Sequence, residues 1–319
     1  MSRKIYIAIL LMVSLALLVA CTPGAASEVE VAEVVEPEPE AESEATGVIV
    51  LADVSDEPAK KIARFQPLAD YLAANLGEYG IGVGEVKIAA DMDSMIAMLS
   101  NGEVDLYFDS SYPSLIISEA SGAVPILRRW KGGAGEYHSV IFARADSGLT
   151  SLDDLPGKML AMEDDGSTSG YMLPMAHFTS AGLTLAEKDS ENSAVAADEV
   201  GYVFSGDDDN TLQWVIIGKV DAGVTDNLNF EELTENSDVE LVILAETEAL
   251  PRGLALVRPG MDPELQAAIT ALLAGLHEME EGPEILETFK STKFDEFPEG
   301  AEAALDRMRE LYQLVQSSQ

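Results

Sequence analysis

Short apolar runs alternate with helical patterns from Gly47 onward, and this alternation limits the fold more than any other feature of the sequence. Residues 48–52 have the length and character of a buried strand, and residues 58–76 follow with apolar side chains spaced near 3.6, which predicts a helix that Gly77 ends. The same alternation predicts strands at residues 86–89, 104–108, 124–130, 139–143, 159–162, 220–224, 241–244 and 255–257. Alternating strands and helices are typical of a largely parallel sheet flanked by helices. The sequence therefore predicts an α/β fold.

The 319 residues are enough for two domains of ordinary size. No further strand–helix unit follows residue 257, and the chain closes with helical stretches at residues 263–276, 283–289 and 301–315. A helical tail after two α/β blocks indicates that the chain returns to its first lobe. The predicted division is a first lobe of residues 47–143 plus 250–319 and a second lobe of residues 144–249. Two chain crossings, near residues 143–146 and 249–254, would form the hinge.

The N-terminus has the organisation of an export signal. Arg3 and Lys4 precede an apolar run over residues 5–20, which is short for a spanning helix. The run ends in Leu-Val-Ala-Cys at residues 18–21, which resembles the bacterial lipobox, whose cysteine is lipidated after cleavage. The prediction is a signal peptide over residues 1–20 and a lipidated Cys21. A plain signal anchor with an incidental cysteine is the alternative. Because Cys21 is the single cysteine, the chain has no internal disulfide.

Residues 21–46 have the composition of an extended tether. They hold eight glutamates, no lysine or arginine, and three prolines. Like charges and proline keep such a segment unpacked. The prediction is a disordered spacer between a membrane anchor and the folded body, and an acidic binding tail is the alternative.

The charge balance excludes some partners. The chain has 57 acidic and 19 basic residues, a net charge of -38. Such a surface repels nucleic acid and anionic lipid headgroups, so no nucleic-acid partner is expected. It also repels small anions at long range.

A serine- and threonine-rich turn, Ser167-Thr168-Ser169-Gly170, is the best candidate site. It follows the predicted strand that ends near Met162 and opens a predicted helix over residues 168–181. The free N–H groups and positive end of that helix would face outward at the carboxyl end of a strand. Three hydroxyls beside them suit a tetrahedral oxyanion. Helix capping alone is the alternative, although capping needs one hydroxyl rather than three.

Around this turn the sequence resembles the phosphonate, phosphite and phosphate binding proteins of ABC importers. The segment from Asp165 to Gly170, with Pro174 after it, is similar to the family's Asp-Pro-x-Ser-Thr-Ser-Gly signature, and the likeness runs over most of residues 47–314. The resemblance implies a two-lobed type II periplasmic-binding fold in which the Ser-Thr-Ser turn, here residues 167–169, cradles a phosphorus oxyanion. It implies a monomeric extracytoplasmic binding protein with no cofactor and no catalysis. Its partners would be an ABC permease and ATPase, with attachment to the membrane through the lipid anchor.

The sequence also departs from that family. The first-lobe loop reads Asp109-Ser110-Ser111-Tyr112, and its Asp109, Ser110 and Tyr112 are candidate contacts. Residues 207–209 are three aspartates where the family has a histidine, so Asp207 is a candidate. An aspartate facing a dianion would be repulsive by roughly 1–4 kcal/mol at about 4 Å. These aspartates therefore either face solvent or meet a proton or cationic group of the ligand.

Asp226 follows the predicted strand at residues 220–224, where the family often has an acidic residue for a ligand amine or proton. A helix N-cap is an equal alternative for it.

Catalytic patterns are lacking in the sequence. The three histidines, at positions 138, 177 and 277, show no His-Glu-x-x-His spacing, and there is no Gly-x-Ser-x-Gly elbow. Two other functions stay open. The same fold could bind a cationic or neutral metabolite, or serve as the sensory input subunit of a membrane receptor.

Overall fold

Strands and helices alternate through residues 45–235 and 237–318, which are the residues that the computed structural model describes. The strands are β1 (Gly47–Val54), β2 (Ile81–Ala89), β3 (Leu106–Asp109), β4 (Val124–Trp130), β5 (Glu136–Tyr137), β6 (Ser139–Arg144), β7 (Met159–Met162), β8 (Leu185–Glu187), β9 (Val200–Phe204), β10 (Ala222–Asp226), β11 (Leu241–Glu246), β12 (Leu250–Pro251), β13 (Leu254–Val257) and β14 (Lys293–Asp295). The α-helices are α1 (Pro58–Asn75), α2 (Met92–Ser100), α3 (Ser111–Ser121), α4 (Leu173–Ser180), α5 (Asp208–Ile216), α6 (Asn227–Thr234), α7 (Pro263–Gly275), α8 (Gly282–Thr288) and α9 (Asp306–Ser318). The predicted signal peptide, Cys21 and nearly all of the predicted tether lie outside the described residues.

The first sheet has the strand order β14-β4-β13-β3-β1-β2. β1 is parallel to both β2 and β3, whereas β13 lies antiparallel between β3 and β4. β13 arrives from the second lobe, so the returning chain enters the middle of the sheet. Its four residues are buried, as a central strand requires. α1 covers one face through an apolar stripe that includes Phe65, Leu68 and Leu72.

The second sheet has the order β11-β6-β10-β7-β9-β8. β7 is parallel to β9 and β10, and β6 is antiparallel to its neighbours β10 and β11. The sequence placed residues 139–143 in the first lobe. The structure corrects that boundary, because the strands that pair with β6 in the described part of the chain, β10 and β11, belong to the second sheet. The first crossing therefore lies upstream, at residues 131–138. There β5 pairs with β12, which belongs to the returning chain.

The C-terminal helix α9 touches both lobes. It contacts α3 of the first lobe and α4 of the second. Its Met308, Leu311 and Val315 are buried in the same hydrophobic core as Leu173 of α4. The predicted assignment of all of residues 250–319 to the first lobe is therefore too simple, because the apolar face of α9 packs across the boundary. Among the described residues, no helix combines the length and apolar character needed to cross a membrane.

Candidate functional site

A cavity of about 1040 Å³ lies between the two sheets. We call it the cleft. Its walls come largely from the carboxyl ends of strands in both lobes. Asp53 is the next-to-last residue of β1, and Asp109 and Asp226 are the last residues of β3 and β10. Open α/β sheets bind ligands at these ends. Of the residues predicted from the sequence, six line the cleft: Asp109, Ser110, Ser167, Thr168, Ser169 and Asp226.

The turn after β7 places three hydroxyls at the start of a helix. Ser167 has an extended backbone and is the N-cap, and its Oγ accepts a hydrogen bond from the Gly170 N–H at 2.9 Å. A π-helical turn, Thr168–Met172, comes next and leads into α4, so the predicted continuous helix begins with a wider turn. Capping is thus one role of Ser167. Because the first N–H groups of a helix have no partner within it, those of Thr168 and Ser169 are available to an anion, whereas the Gly170 N–H is taken by the cap.

Thr168 joins the two lobes. Its Oγ1 accepts a hydrogen bond from the Tyr112 N–H and donates one to Ser110 Oγ, both at 2.9 Å. Thr168 and Ser169 are buried, and the Tyr137 hydroxyl lies close to both of their side chains. Burial raises the pKa of Tyr137 to about 12, so this phenol keeps its proton and can donate it in a hydrogen bond.

Gly170 is required by the approach of Glu163. A Cβ on Gly170 would lie 2.4 Å from the Cβ of Glu163, which no real side chain tolerates. This close packing lets Glu163 Oε2 accept a hydrogen bond from Ser167 Oγ at 2.6 Å. The absence of a side chain on Gly170 thus allows the Glu163 carboxyl group to contact the Ser167 hydroxyl.

Three carboxyl groups form an acidic wall in the second lobe. Glu163, Asp208 and Asp226 line the cleft and influence one another. Burial, and then the charge of Asp208, raises the pKa of Glu163 to about 7, and burial also raises the pKa of Asp208. Asp208 accepts hydrogen bonds from Thr225 and Asn229 at 2.6 Å each. The wall therefore carries less negative charge than its composition indicates.

Asp226 combines two roles. It is the N-cap of α6, because its Oδ1 accepts from the N–H groups of Leu228 and Asn229. The same oxygen pairs with Arg252 Nη1 at 3.1 Å, and both side chains are buried. The sequence treated capping and a role in the cleft as alternatives, but one buried carboxylate provides the cap and lines the cleft. The buried Nε of Arg252 has no hydrogen-bond partner in the described residues.

Two predicted residues do not line the cleft. Asp207 is exposed and caps α5, accepting from the Asn210 N–H at 2.6 Å. The ring of Tyr112 packs on Tyr312 of α9, with ring centroids 5.8 Å apart, so only its backbone N–H meets Thr168. The three aspartates at residues 207–209 differ in exposure, because helical rotation turns Asp208 inward and leaves its two neighbours in solvent.

Sequence reasoning missed the cations of the cleft. They come from both the helices and the strands of the first lobe and from the crossing segments: Lys61, Arg64, Arg129, Lys131, Arg252 and Lys290. One signal was present, since Arg128 and Arg129 interrupt a run predicted to be a strand. A charged side chain is seldom buried in a strand without a partner or a function. The sequence around the other cations gives no local indication that they line a cleft.

Known proteins resemble this chain throughout its folded part. A family model described as the phosphonate periplasmic substrate-binding protein of ABC transporters matches residues 52–299. The phosphate-import protein PhnD of Mycolicibacterium smegmatis is 29% identical over 181 residues, which are 55% of this chain and 54% of that protein. The match thus spans about half the length of this curated relative.

Solved structures of other proteins are similar to this chain over its folded part. XAC2383 from Xanthomonas citri bound to chloride has a TM-score of 0.79 and 28% identity, over 85% of this chain and 99% of that one. The same protein bound to ATP has a TM-score of 0.77 and 26% identity, over 85% and 98%. PhnD1 from Prochlorococcus marinus in complex with methylphosphonate shares the fold, with a TM-score of 0.63 and 16% identity over 84% and 98%.

The fold and the cleft define a two-lobed solute-binding protein of the type II periplasmic class, as predicted. Within that class, the chain belongs to the family of phosphonate periplasmic substrate-binding proteins of ABC transporters. The predicted family and fold class are therefore confirmed.

Proposed function

We propose that this protein captures a phosphorus oxyanion, namely a phosphonate, phosphite or phosphate, and delivers it to the permease of an ABC importer. One observation carries the proposal. The hydroxyl turn of Ser167, Thr168 and Ser169 lines the cleft at a helix start, facing a first-lobe wall that contains Arg129 and Lys131. Hydroxyls and helix N–H groups bind the oxygens of a tetrahedral anion, and the guanidinium and ammonium groups neutralise its charge.

The acidic wall selects among anions. Glu163 and Asp208 accept hydrogen bonds, so they favour a ligand that brings a proton or an ammonium group. A monoprotonated phosphate or phosphonate meets this condition, and so does an aminoalkylphosphonate. The X. citri relative holds chloride in one structure and ATP in another, and both ligands are anions, in agreement with an anion site.

Lobe closure would couple binding to transport. Thr168 already bonds to Ser110 and to Tyr112 across the lobes. A ligand that contacts both walls adds interactions that an open form lacks, so it shifts the population toward closure. The permease would then recognise the closed form.

The proposal places the protein outside the cytoplasm on a lipid anchor at Cys21, with residues 22–46 as a spacer, acting as a monomer without catalysis. Radiolabelled palmitate should enter the wild-type protein in a bacterial host. It should not enter a Cys21→Ser variant.

Isothermal titration of the purified protein tests the ligand class. Phosphate, phosphite, methylphosphonate and 2-aminoethylphosphonate form the test panel, and sulfate is the matched control because it has the same shape without a proton to donate. At least one phosphorus compound should bind, and sulfate should bind at least about tenfold more weakly than phosphate, because its oxygens meet Glu163 and Asp208 without a donor. Heat from none of the phosphorus compounds would refute the proposed class.

The pH dependence of binding should depend on Glu163. Its pKa is raised to about 7, so the group is neutral below that pH and charged above it, beside the bound oxyanion. Between about pH 6 and pH 8, the affinity of wild type for methylphosphonate, which has no ammonium group, should fall relative to that of Glu163→Gln by roughly tenfold, which is about 1.4 kcal/mol of added repulsion. Because both proteins are titrated with the same ligand, the ligand's own ionisation cancels from the ratio. Asp164, Asp208 and Asp226 face Glu163 and are unchanged in both proteins. A ratio that stays constant with pH would exclude this role.

A further inference from the structure

Four cations of the cleft have no carboxylate partner within the described part of the chain. Most lysine and arginine side chains in residues 45–235 and 237–318 lie within 4.0 Å of a carboxylate. This is expected where acidic residues outnumber basic ones by 57 to 19. Within the same residues the exceptions are Arg64, Lys87, Arg129, Lys131 and Lys290, and all of them except Lys87 line the cleft. Unpaired cations are therefore concentrated in one cavity of a strongly acidic protein.

Arg129 is held in position by groups that leave its charge uncompensated. It is 7% exposed, its Nε donates to Ser291 Oγ at 2.6 Å, and its Nη2 donates to the Phe289 carbonyl at 2.7 Å. Its guanidinium lies 4.2 Å from the centre of the Phe289 ring. These contacts fix the plane of the guanidinium without using Nη1. Neutral partners that orient a buried cation are typical of a preorganised anion site.

The cations also repel one another. Removal of water by the surrounding protein, followed by the charges of Arg129 and Arg252, lowers the pKa of Lys131 to about 8, although the charges of Asp109 and Asp226 oppose this. Lys131 is accessible to water but lies inside the concave cleft, which accounts for the large loss of hydration. A set of like charges is unfavourable in the empty cleft, and a bound anion relieves it.

Lys290 adopts a strained backbone at the edge of the cleft. Its φ is 58°, in the left-handed region that favours glycine. It follows the end of α8, where the Ser291 N–H bonds to the Leu286 carbonyl at 2.8 Å and the Lys290 N–H to the Glu287 carbonyl at 3.0 Å. This is the helix ending in which glycine is the usual residue. Strained residues of this kind cluster at ligand sites.

Four carboxyl groups of the first lobe also line the cleft, namely Asp53, Asp91, Asp109 and Glu287. Asp91 accepts from the Ser94 N–H, and two of the others are occupied as well. Asp53 pairs with Lys61. Asp109 accepts hydrogen bonds from the Tyr107 hydroxyl and the Ser110 N–H. They therefore compensate the four unpaired cations only in part.

The cleft is also large. Its volume of about 1040 Å³ is at the upper end of the ~300–1,000 Å³ range of small-molecule pockets. Methylphosphonate has five non-hydrogen atoms and fills a small part of it.

We propose that the preferred ligand carries two acidic groups: a phosphorus group on the hydroxyl turn of the second lobe, neutralised by Arg129 and Lys131, and a carboxylate or second phosphate on Arg64 and Lys290 of the first lobe. This rests on the proposed function and names its substrate class, a doubly acidic organophosphorus compound. Such a ligand bridges the two walls.

The test compares methylphosphonate, which has one acidic group, with phosphonoacetate, 3-phosphonopropionate and 4-phosphonobutyrate, which add a carboxylate at increasing distance. Wild type should bind at least one of the three at least about tenfold more tightly than methylphosphonate. The double variant Arg64→Gln/Lys290→Gln should lose this preference, while its affinity for methylphosphonate falls by less than about fivefold, because charges that do not contact the phosphorus group act on it only weakly through water. These two side chains have no hydrogen-bond or ion-pair partner in the described residues, so the variant should melt at the wild-type temperature.

Lys87→Gln is the matched control, because Lys87 lies outside the cleft, pairs with no carboxylate in residues 45–235 and 237–318, and donates to the Glu103 carbonyl. It should leave every affinity unchanged. If none of the three carboxylates exceeds methylphosphonate, or if the double variant loses both kinds of ligand equally, the second acidic subsite does not exist and the proposed function stands. If none of these phosphonates binds, and phosphate and phosphite do not bind either, it is the proposed function that fails.

Discussion

Replacing Thr168 by Val and Ser169 by Ala together should weaken the binding of the phosphorus oxyanion by at least about 100-fold. Each hydroxyl would donate a charge-assisted hydrogen bond, which contributes roughly 1.5–3 kcal/mol. For Thr168 this requires its proton to turn from Ser110 Oγ to the ligand, and the Ser110 hydroxyl then donates to Thr168 Oγ1 instead. The Thr168 hydroxyl has a second effect, because it also bonds to Ser110 and to the Tyr112 N–H across the lobes. Its loss favours the open form and adds to the loss of affinity.

Titration calorimetry with the best ligand of the panel measures this change. The control is Thr270→Val with Ser180→Ala, a matched pair outside the cleft whose hydroxyls donate to the carbonyls of Gln266 and Ala176. Both variants should fold, since valine has nearly the shape of threonine. A loss of less than about tenfold in the cleft variant, with its fold intact, would show that the oxyanion is bound elsewhere.

Asp226→Ala should lower the free energy of unfolding by about 3–5 kcal/mol, because it leaves the buried Arg252 without its partner. The two side chains are only 5% and 9% exposed, and their atoms are 3.1 Å apart. Asp226 also caps α6, so alanine removes a cap worth about 1 kcal/mol as well. This is a large fraction of the total stability of a typical domain, which is about 5–15 kcal/mol.

Urea unfolding followed by circular dichroism measures the change in the free energy of unfolding. Two further variants separate the contribution of the helix cap from that of the ion pair. Asp226→Asn keeps an acceptor for the cap and should be less destabilised than Asp226→Ala. Adding Arg252→Met to Asp226→Ala removes the unpaired cation and should restore part of the stability. Additive losses in this double variant would mean that the ion pair contributes nothing.

The chain crossings take part in the site. Tyr137 of β5 and Arg252 beside β12 both line the cleft, and the Arg252 guanidinium lies 4.8 Å from the centre of the Tyr137 ring. β5 and β12 pair with each other, so the two crossings move as one ribbon. A ligand that contacts Tyr137 or Arg252 therefore acts on the hinge itself, which gives a direct physical link between binding and lobe movement.

Local patterns in the sequence determined the α/β class and the position of the hydroxyl turn. Strand and helix periods are properties of neighbouring residues, and a serine that follows a strand and precedes a helix caps that helix whatever packs around it. The segment from Met162 to Gly170 could therefore be read without tertiary information. Its family signature also sufficed to predict the type II fold.

Tertiary structure alone decided which cations of the first lobe share the cleft with the hydroxyl turn. Arg64, Arg129 and Lys290 are far apart in sequence and meet because β13 inserts between β3 and β4 and α8 packs beside α1. Asp208 faces the cleft while Asp207 caps a helix in solvent, a difference set by the rotation of α5 against the sheet. Such placements depend on which surfaces pack against each other over long sequence separations, and residue type and local spacing carry no information about that packing.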